Sequence, residues 1–285
     1  MPAGPIMNDL RALPDEDYRF SLGITPGDAR EFFARSTEHE RLVAERQRWL
    51  RDAPHRYAAL LPEGRASLRE MFDLVVSWQP SLDLHRDELH RDDRQTEFDS
   101  LLALGSHLEP DFVLLHRNKS GRWIVTGGCV CFPSSWRLTD KLSQPLEDVH
   151  EPVPELNAAL AGPIHQLLLK MKPGRCWLRS NWGVCRQPEL NQHPDRHLPR
   201  LTPGLTLDDV WLRREYQALM MLPESEGVLF GIRVEHTAWS DVRQSPEAAA
   251  RLMRGLQSMP EAMLAYKNLL AVRDELLRLL SASEV

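Results

Sequence analysis

The residue best placed for chemistry in this chain is a histidine whose backbone is stiffened by its neighbours. His150 is followed by Glu151-Pro152-Val153-Pro154. Each proline fixes its own φ and biases the residue before it towards extended geometry, so a loop presents the imidazole at little ordering cost. Rigid presentation of one neutral imidazole is what an axial haem ligand requires. A lone loop histidine is more often a hydrogen-bonded structural residue, and spacing alone does not separate the two readings.

A second constellation lies in RCWLRSNWGVC, residues 175–185, which reads as a strand with Trp177, Arg179 and Asn181 on one face. An Arg and an Asn beside an aromatic make an anion-holding surface or an ordinary exposed sheet edge. Cys129 and Cys131 are two apart and share a strand face, but no second C-x-x-C completes a metal set, so they read as buried thiols. His85 and His90 are five apart, a poor spacing for one helix face, in a charged stretch (81–99) expected to be a long exposed connection or lid. His193 and His197 imitate a helical metal pair, but Pro194 between them argues for a loop. There is no G-x-S-x-G, no P-loop, no G-x-G-x-x-G opening a helix and no H-E-x-x-H.

The remaining properties bound the setting. At 285 residues the chain is long enough for a sizeable core, and 42% apolar with 27% charged residues is the balance of a soluble globular protein. A net charge of -6 gives no nucleic-acid footprint. Four cysteines in a chain this long suit reduced thiols, the N-terminus has no apolar core of a secretory leader, and no run is long enough to span a bilayer, so a cytoplasmic protein without a membrane partner is expected.

The elements that must position these residues follow from periodicity. Helices are expected over about 28–52, 66–78, 156–171, 206–222 and, with a break at Pro260, 246–280. The helix at 206–222 is drawn from Thr206 as a cap, Asp209 three residues on and the run VWLRREYQALMML. Strands are expected at 111–117 and 122–132, joined as a hairpin, and at 175–185 and 226–236. Gly127 and Gly128 mark a bulge, a close approach of the backbone to something flat or bulky, or a twist needed for packing. The sum is an α+β fold in one unit (1–285): a mainly helical part at 1–100, a sheet core at 104–240 and a helical tail at 246–283.

Three blocks carry a resemblance: CFPSSWRLTDKLSQPLEDVHEPVPELN, then RSNWGV, then LRREYQALMMLPESEGVLFGIRVEH. In order and spacing they resemble the haem-binding α-subunit of haem-dependent oxidative N-demethylases of the dimethylamine-oxidising type, over about residues 20–267. The resemblance implies a PAS-like antiparallel sheet with inserted and flanking helices that encloses haem b. It also implies oxidation of a small methylated amine with O₂, on electrons from flavin and iron-sulfur partner subunits. By position, the F-P-x-x-W and D-K blocks fall on Phe132, Pro133, Trp136, Asp140 and Lys141, and the H-x-P-V-P block puts the iron ligand at His150. The R-x-N-W block falls on Arg179, Asn181 and Trp182, and the R-x-E-R-Q-T-L block, expected as a helix, on Arg213, Glu215, Gln217 and Leu219. Lys141, Arg179, Asn181 and Arg213 are then the cofactor contacts, and Glu215 and Tyr216 the catalytic candidates, Glu215 as a carboxylate for an ammonium. The block departs from the family pattern at Tyr216, where a second Arg is expected, and at Ala218, where a Thr is expected. The competing readings are a haem-binding sensor or carrier on the same scaffold and a cofactor-free interaction protein. His116 and His165 are the alternative ligands.

Overall fold

The computed structural model describes Leu10, residues 13–80, Leu82 and residues 94–281; His85 and His90 lie outside the described residues. The first part runs β1 (Thr25–Gly27), α1 (Ala29–Phe32), α2 (His39–Asp52), α3 (Pro54–Tyr57), β2 (Ala58–Leu60), α4 (Arg65–Trp78) and α5 (Arg94–His107). The middle runs β3 (Asp111–Arg117), β4 (Trp123–Cys129), α6 (Leu146–His150), α7 (Leu156–Lys170), β5 (Cys176–Cys185), β6 (Trp211–Met221) and β7 (Val228–Ala238). Helices α8 (Trp239–Gln244), α9 (Pro246–Ser258), α10 (Glu261–Tyr266) and α11 (Arg273–Ser281) follow. All seven strands join one antiparallel sheet in the order β1-β5-β6-β7-β3-β4-β2. The mixed α+β class read from the sequence is therefore the class of the fold.

The largest departure from expectation is β6. Leu, Arg, Glu, Gln, Ala and Met are all good helix formers, which is why residues 206–222 read as a helix. Instead, every residue of β6 has a partner on β7 and nearly every one has a partner on β5. Pairing on both edges outweighs intrinsic propensity, and the alternation of the segment is the signal that decides. The capping box at Thr206 and Asp209 is real, but it closes a single 3-10 turn at Leu207–Asp209.

Smaller departures have local causes. The helix expected over 28–52 is divided: Asp28 caps α1, and Glu109 accepts from the Ser36 N–H at 2.6 Å in the gap before α2. The stretch expected as an exposed connection becomes helical from Arg94, because Leu101, Leu104 and Leu108 bury one stripe against α2 and the sheet. The C-terminal tail breaks at Pro260 as expected and again at Asn268, which takes a left-handed conformation.

Three apolar clusters surround the sheet. Phe33, Leu68, Met71, Leu104, Phe112 and Leu114 bury one face under α1, α2, α4 and α5. Val113, Leu115, Trp123, Val125, Leu168 and Met171 lie on the opposite face, towards α6 and α7. The third cluster packs α8 to α11 against Leu212 at the end of the long strands. Helix α7 stands out because only Leu160 and Leu168 of its fifteen residues are buried, although it is rich in Leu, Ile and Ala.

The two strand glycines are explained by their neighbours in the sheet. Leu114 and Leu115 bracket a β-bulge opposite β4, and Gly128 has φ +153° with its α-carbon facing the Phe112 carbonyl. A Cβ at Gly128 would collide with that carbonyl oxygen, and one at Gly127 would stand 2.8 Å from the Ala59 carbonyl oxygen. The close approach anticipated there is to backbone on either side rather than to a flat cofactor. Gly128→Ala is expected to destabilise the fold by about 3 kcal/mol or more, measured as a lowered urea midpoint, because the obstacle is backbone with no rotamer to move.

Candidate cofactor site under the two inserted helices

Strand register assembles the site. Arg179 pairs with Gln217, Asn181 with Glu215 and Gly183 with Arg213, so side chains from the two sequence blocks project to one face in adjoining rows. His236 on β7 continues the row from Arg213. Trp177 and Leu219 extend the same face into the apolar cluster near α7.

His150 reaches this region from the last turn of α6 rather than from a loop; the prolines follow in the turn, where Val153 N–H bonds to the His150 carbonyl at 2.9 Å. Its imidazole is held below its ordinary pKa, first by burial and then by the Arg179 guanidinium, with Lys141 adding to the effect and Glu147 opposing it. A neutral imidazole is the form that binds a metal. Lys141 sits alongside, its Nζ donating to the Val149 carbonyl at 3.4 Å. Asp140 turns outward and pairs with Arg137 at 3.5 Å.

Arg179 is the most exceptional group in the site. Burial lowers its pKa, Glu215 is its main countercharge, and its Nε is buried without an acceptor among the described residues. Leaving a buried donor unmatched costs about 1–3 kcal/mol, so such a group calls for a partner.

Glu215 is already oriented. Ser134 Oγ donates to one carboxylate oxygen and Gln217 Nε2 donates to the other at 3.0 Å. Arg213, expected as a cofactor contact, has a different task. Its Nε donates to Ser134 Oγ at 2.8 Å, one terminal nitrogen to the Glu189 carbonyl and His236 Nε2, and the other to the Phe132 and Leu190 carbonyls. All five donors are engaged within the protein, which leaves none for a propionate. His236 accepts from Arg213, and burial together with that guanidinium pushes its pKa down to about 3.

The other expected residues are dispersed. Asn181 is exposed at the rim and its Oδ1 accepts from the Trp182 N–H at 2.9 Å. Tyr216 points to the opposite face, where Arg214 lies 5.4 Å from its ring, and Ala218 is buried on that side. The two departures from the family pattern therefore do not touch the row of Arg179, Gln217 and Glu215. His116 also lies on the opposite face, whereas His165 shares with His150 a small recess between α6, α7 and Trp123. Cys129 and Cys131 are fully buried beside Arg46. Residues not singled out from the sequence are Ser134, His236 and, near Glu215, Lys267, whose Nζ donates to the Trp182 carbonyl at 2.8 Å. The period-two spacing of Arg213, Glu215, Gln217 and Leu219 was the signal available for the row.

Among the described residues no group of three His, Cys, Asp or Glu side chains can hold a bare metal ion. A macrocycle that supplies its own equatorial ligands needs only one from the protein. The donor set fits such a group: a neutral imidazole, two neighbouring cations of which one lacks a hydrogen-bond acceptor, and an apolar helix with little of its surface buried. The recess beside His150 is far smaller than a small-molecule pocket, so seating haem requires α6 and α7 to stand further from the sheet.

One antiparallel sheet with two helices inserted between β4 and β5 defines a mixed α+β protein with a roofed sheet face. Residues 23–277 match the family described as haem-dependent oxidative N-demethylase, alpha subunit-like, and the chain belongs to that family. Membership points to haem as the cofactor, to N-demethylase activity and, through the term alpha subunit, to further subunits. No helix among the described residues is long and apolar enough to cross a membrane.

Two outcomes follow from the charges. Arg179→Met should raise the stability of the haem-free chain by about 1 kcal/mol while weakening haem uptake, read by thermal unfolding and by haem titration. His236 is depressed from 6.5 to about 3, so the unfolded chain takes up its proton first as pH falls. Its stabilising contribution is complete above the unfolded value and is lost on acidification at up to about 1.4 kcal/mol per pH unit. His236→Gln, which keeps an acceptor for Arg213, should flatten the stability curve between about pH 6 and pH 4 in urea titrations.

Proposed function

We propose that the chain is the haem-binding subunit of an oxidative N-demethylase that acts on a small methylated amine such as dimethylamine. The observation that carries this reading is Arg179, a half-buried cation whose Nε is buried without an acceptor among the described residues, beside a neutral His150. His150 would hold the iron of haem b, and Arg179 and Lys141 would receive its propionates through charge-assisted hydrogen bonds. The PAS-like reading of the sheet is supported by the central run β4-β3-β7-β6-β5 and by the helices inserted between its chain-order halves.

When bound, haem supplies the activation of O₂ that no side chain here can supply. The protein's own residues do the rest. Glu215, held by Ser134 and Gln217, would receive the ammonium form of the amine and orient its N-methyl group. Arg213 keeps the 132–134 and 189–190 segments in place around that carboxylate. Asn181 would close the rim, and Tyr216 would act from beneath the strand by packing. Hydroxylation of the methyl group gives a carbinolamine that collapses to formaldehyde and the shorter amine. Electrons would come from flavin and iron-sulfur partner subunits, in the cytoplasm.

The test is to purify the chain from a haem-replete host, record its absorption spectrum, then supply reductant, O₂ and dimethylamine and assay formaldehyde. The expected result is a Soret band that His150→Ala abolishes, with formaldehyde formed by the unaltered protein. A haem band without formaldehyde identifies a carrier or sensor, and no band after reconstitution removes haem from the proposal.

A further inference from the structure

Ser134 lies between the two charged residues of β6 that share the site face. Arg213 Nε donates to its Oγ at 2.8 Å, and the same Oγ lies within hydrogen-bonding distance of Glu215 Oε1. A hydroxyl has one proton and two lone pairs, and Arg213 has no acceptor to offer. The guanidinium therefore takes a lone pair and the only proton of Ser134 must point at Glu215. Gln217 fixes the other oxygen at 3.0 Å. Both donors leave each carboxylate oxygen a lone pair for a further N–H.

Arg213 itself is locked by four more acceptors, so Ser134 is referenced to a fixed point. Ser134 also belongs to the loop that follows β4, where it forms an isolated bridge with Gln192. The loop hydroxyl, the buried guanidinium and the strand carboxylate form one chain in which every proton has a defined direction.

From this geometry we infer that Ser134 is a positioning residue that fixes the rotamer of Glu215, and so sets the affinity for the cationic amine. The inference rests on the proposed role of Glu215 as the ammonium partner. Among the described residues, Arg179, Arg213, Lys267 and Tyr266 are other charged or titratable groups that act on Glu215. All are present in the variants, so a change on removing the hydroxyl is assigned to Ser134.

The test compares haem-loaded wild type, Ser134→Ala and Ser134→Thr, with Ser134→Cys in reserve should the alanine protein fail to fold. Dimethylammonium binding is measured by titration calorimetry, and KM and kcat by formaldehyde release. Infrared difference spectra follow the Glu215 carboxylate band, assigned by its loss in Glu215→Gln. Ser134→Ala should weaken binding about tenfold and raise KM by a similar factor with kcat changed less than about threefold, the pattern of lost ground-state binding. Its Glu215 carboxylate band should shift in frequency relative to wild type, since a hydrogen-bond donor to the carboxylate has been removed. Ser134→Thr should restore both. An unchanged Glu215 carboxylate band in Ser134→Ala, or no rescue by threonine, overturns the inference. A shifted carboxylate band in a protein that binds no dimethylammonium supports the positioning role and refutes the amine reading alone.

Discussion

The engagement of every donor of Arg213 is the interaction on which the candidate site depends. One guanidinium on β6 ties three carbonyls from two separate segments, the Ser134 hydroxyl and the His236 ring. Lysine has a single ammonium and no fixed fork, so it does not reproduce this geometry. The carbonyls would otherwise need solvent or regular secondary structure to satisfy them. The irregular segments around residues 132–134 and 189–190 are thus ordered by a charge that belongs to the sheet.

A second buried charge meets the first at the same place. Asp111 accepts from the N–H groups of Cys131 and Phe132 at 2.7 and 2.8 Å and pairs with the fully buried Arg46. Phe132 therefore has its N–H on a carboxylate of β3 and its carbonyl on a guanidinium of β6. Removing one partner of such a buried pair typically costs about 3–5 kcal/mol because the other is left uncompensated. The exit of β4 is held from both sides, which gives Ser134 its fixed relation to Glu215 and sends the chain on towards Lys141 and His150.

Much of this was legible in the sequence, and what was not had definite causes. The hairpin around Asn118, β5, β7, α4 and the break at Pro260 carried their own turn, alternation or proline signals. In β6 the period-two spacing was outweighed by residues that favour helix individually and become a strand through neighbours on both edges. Reading it as a helix also obscured that Arg213, Glu215, Gln217 and Leu219 form one row with Arg179 and Asn181. The value of His150 came from the stiff chain after it, but its place at the end of α6 and its proximity to Arg179 depend on how α6 lies over the sheet. Ser134 was invisible as a single residue; its meaning arises from contacts across 79 and 81 positions of chain.

The strand alternation of β6 has a consequence for how the chain can diverge. Odd-numbered residues of its central part face the candidate site, and even-numbered ones face the core on the other side or the ion pair with Glu235. Substitutions within a few positions of one another thus fall under separate selective pressures. Tyr216 and Ala218 stand in the column answerable to packing, so a substitution there alters the core on that side rather than the row of Arg179, Gln217 and Glu215. A two-residue period thus makes neighbouring positions of one short segment answer to two different surroundings.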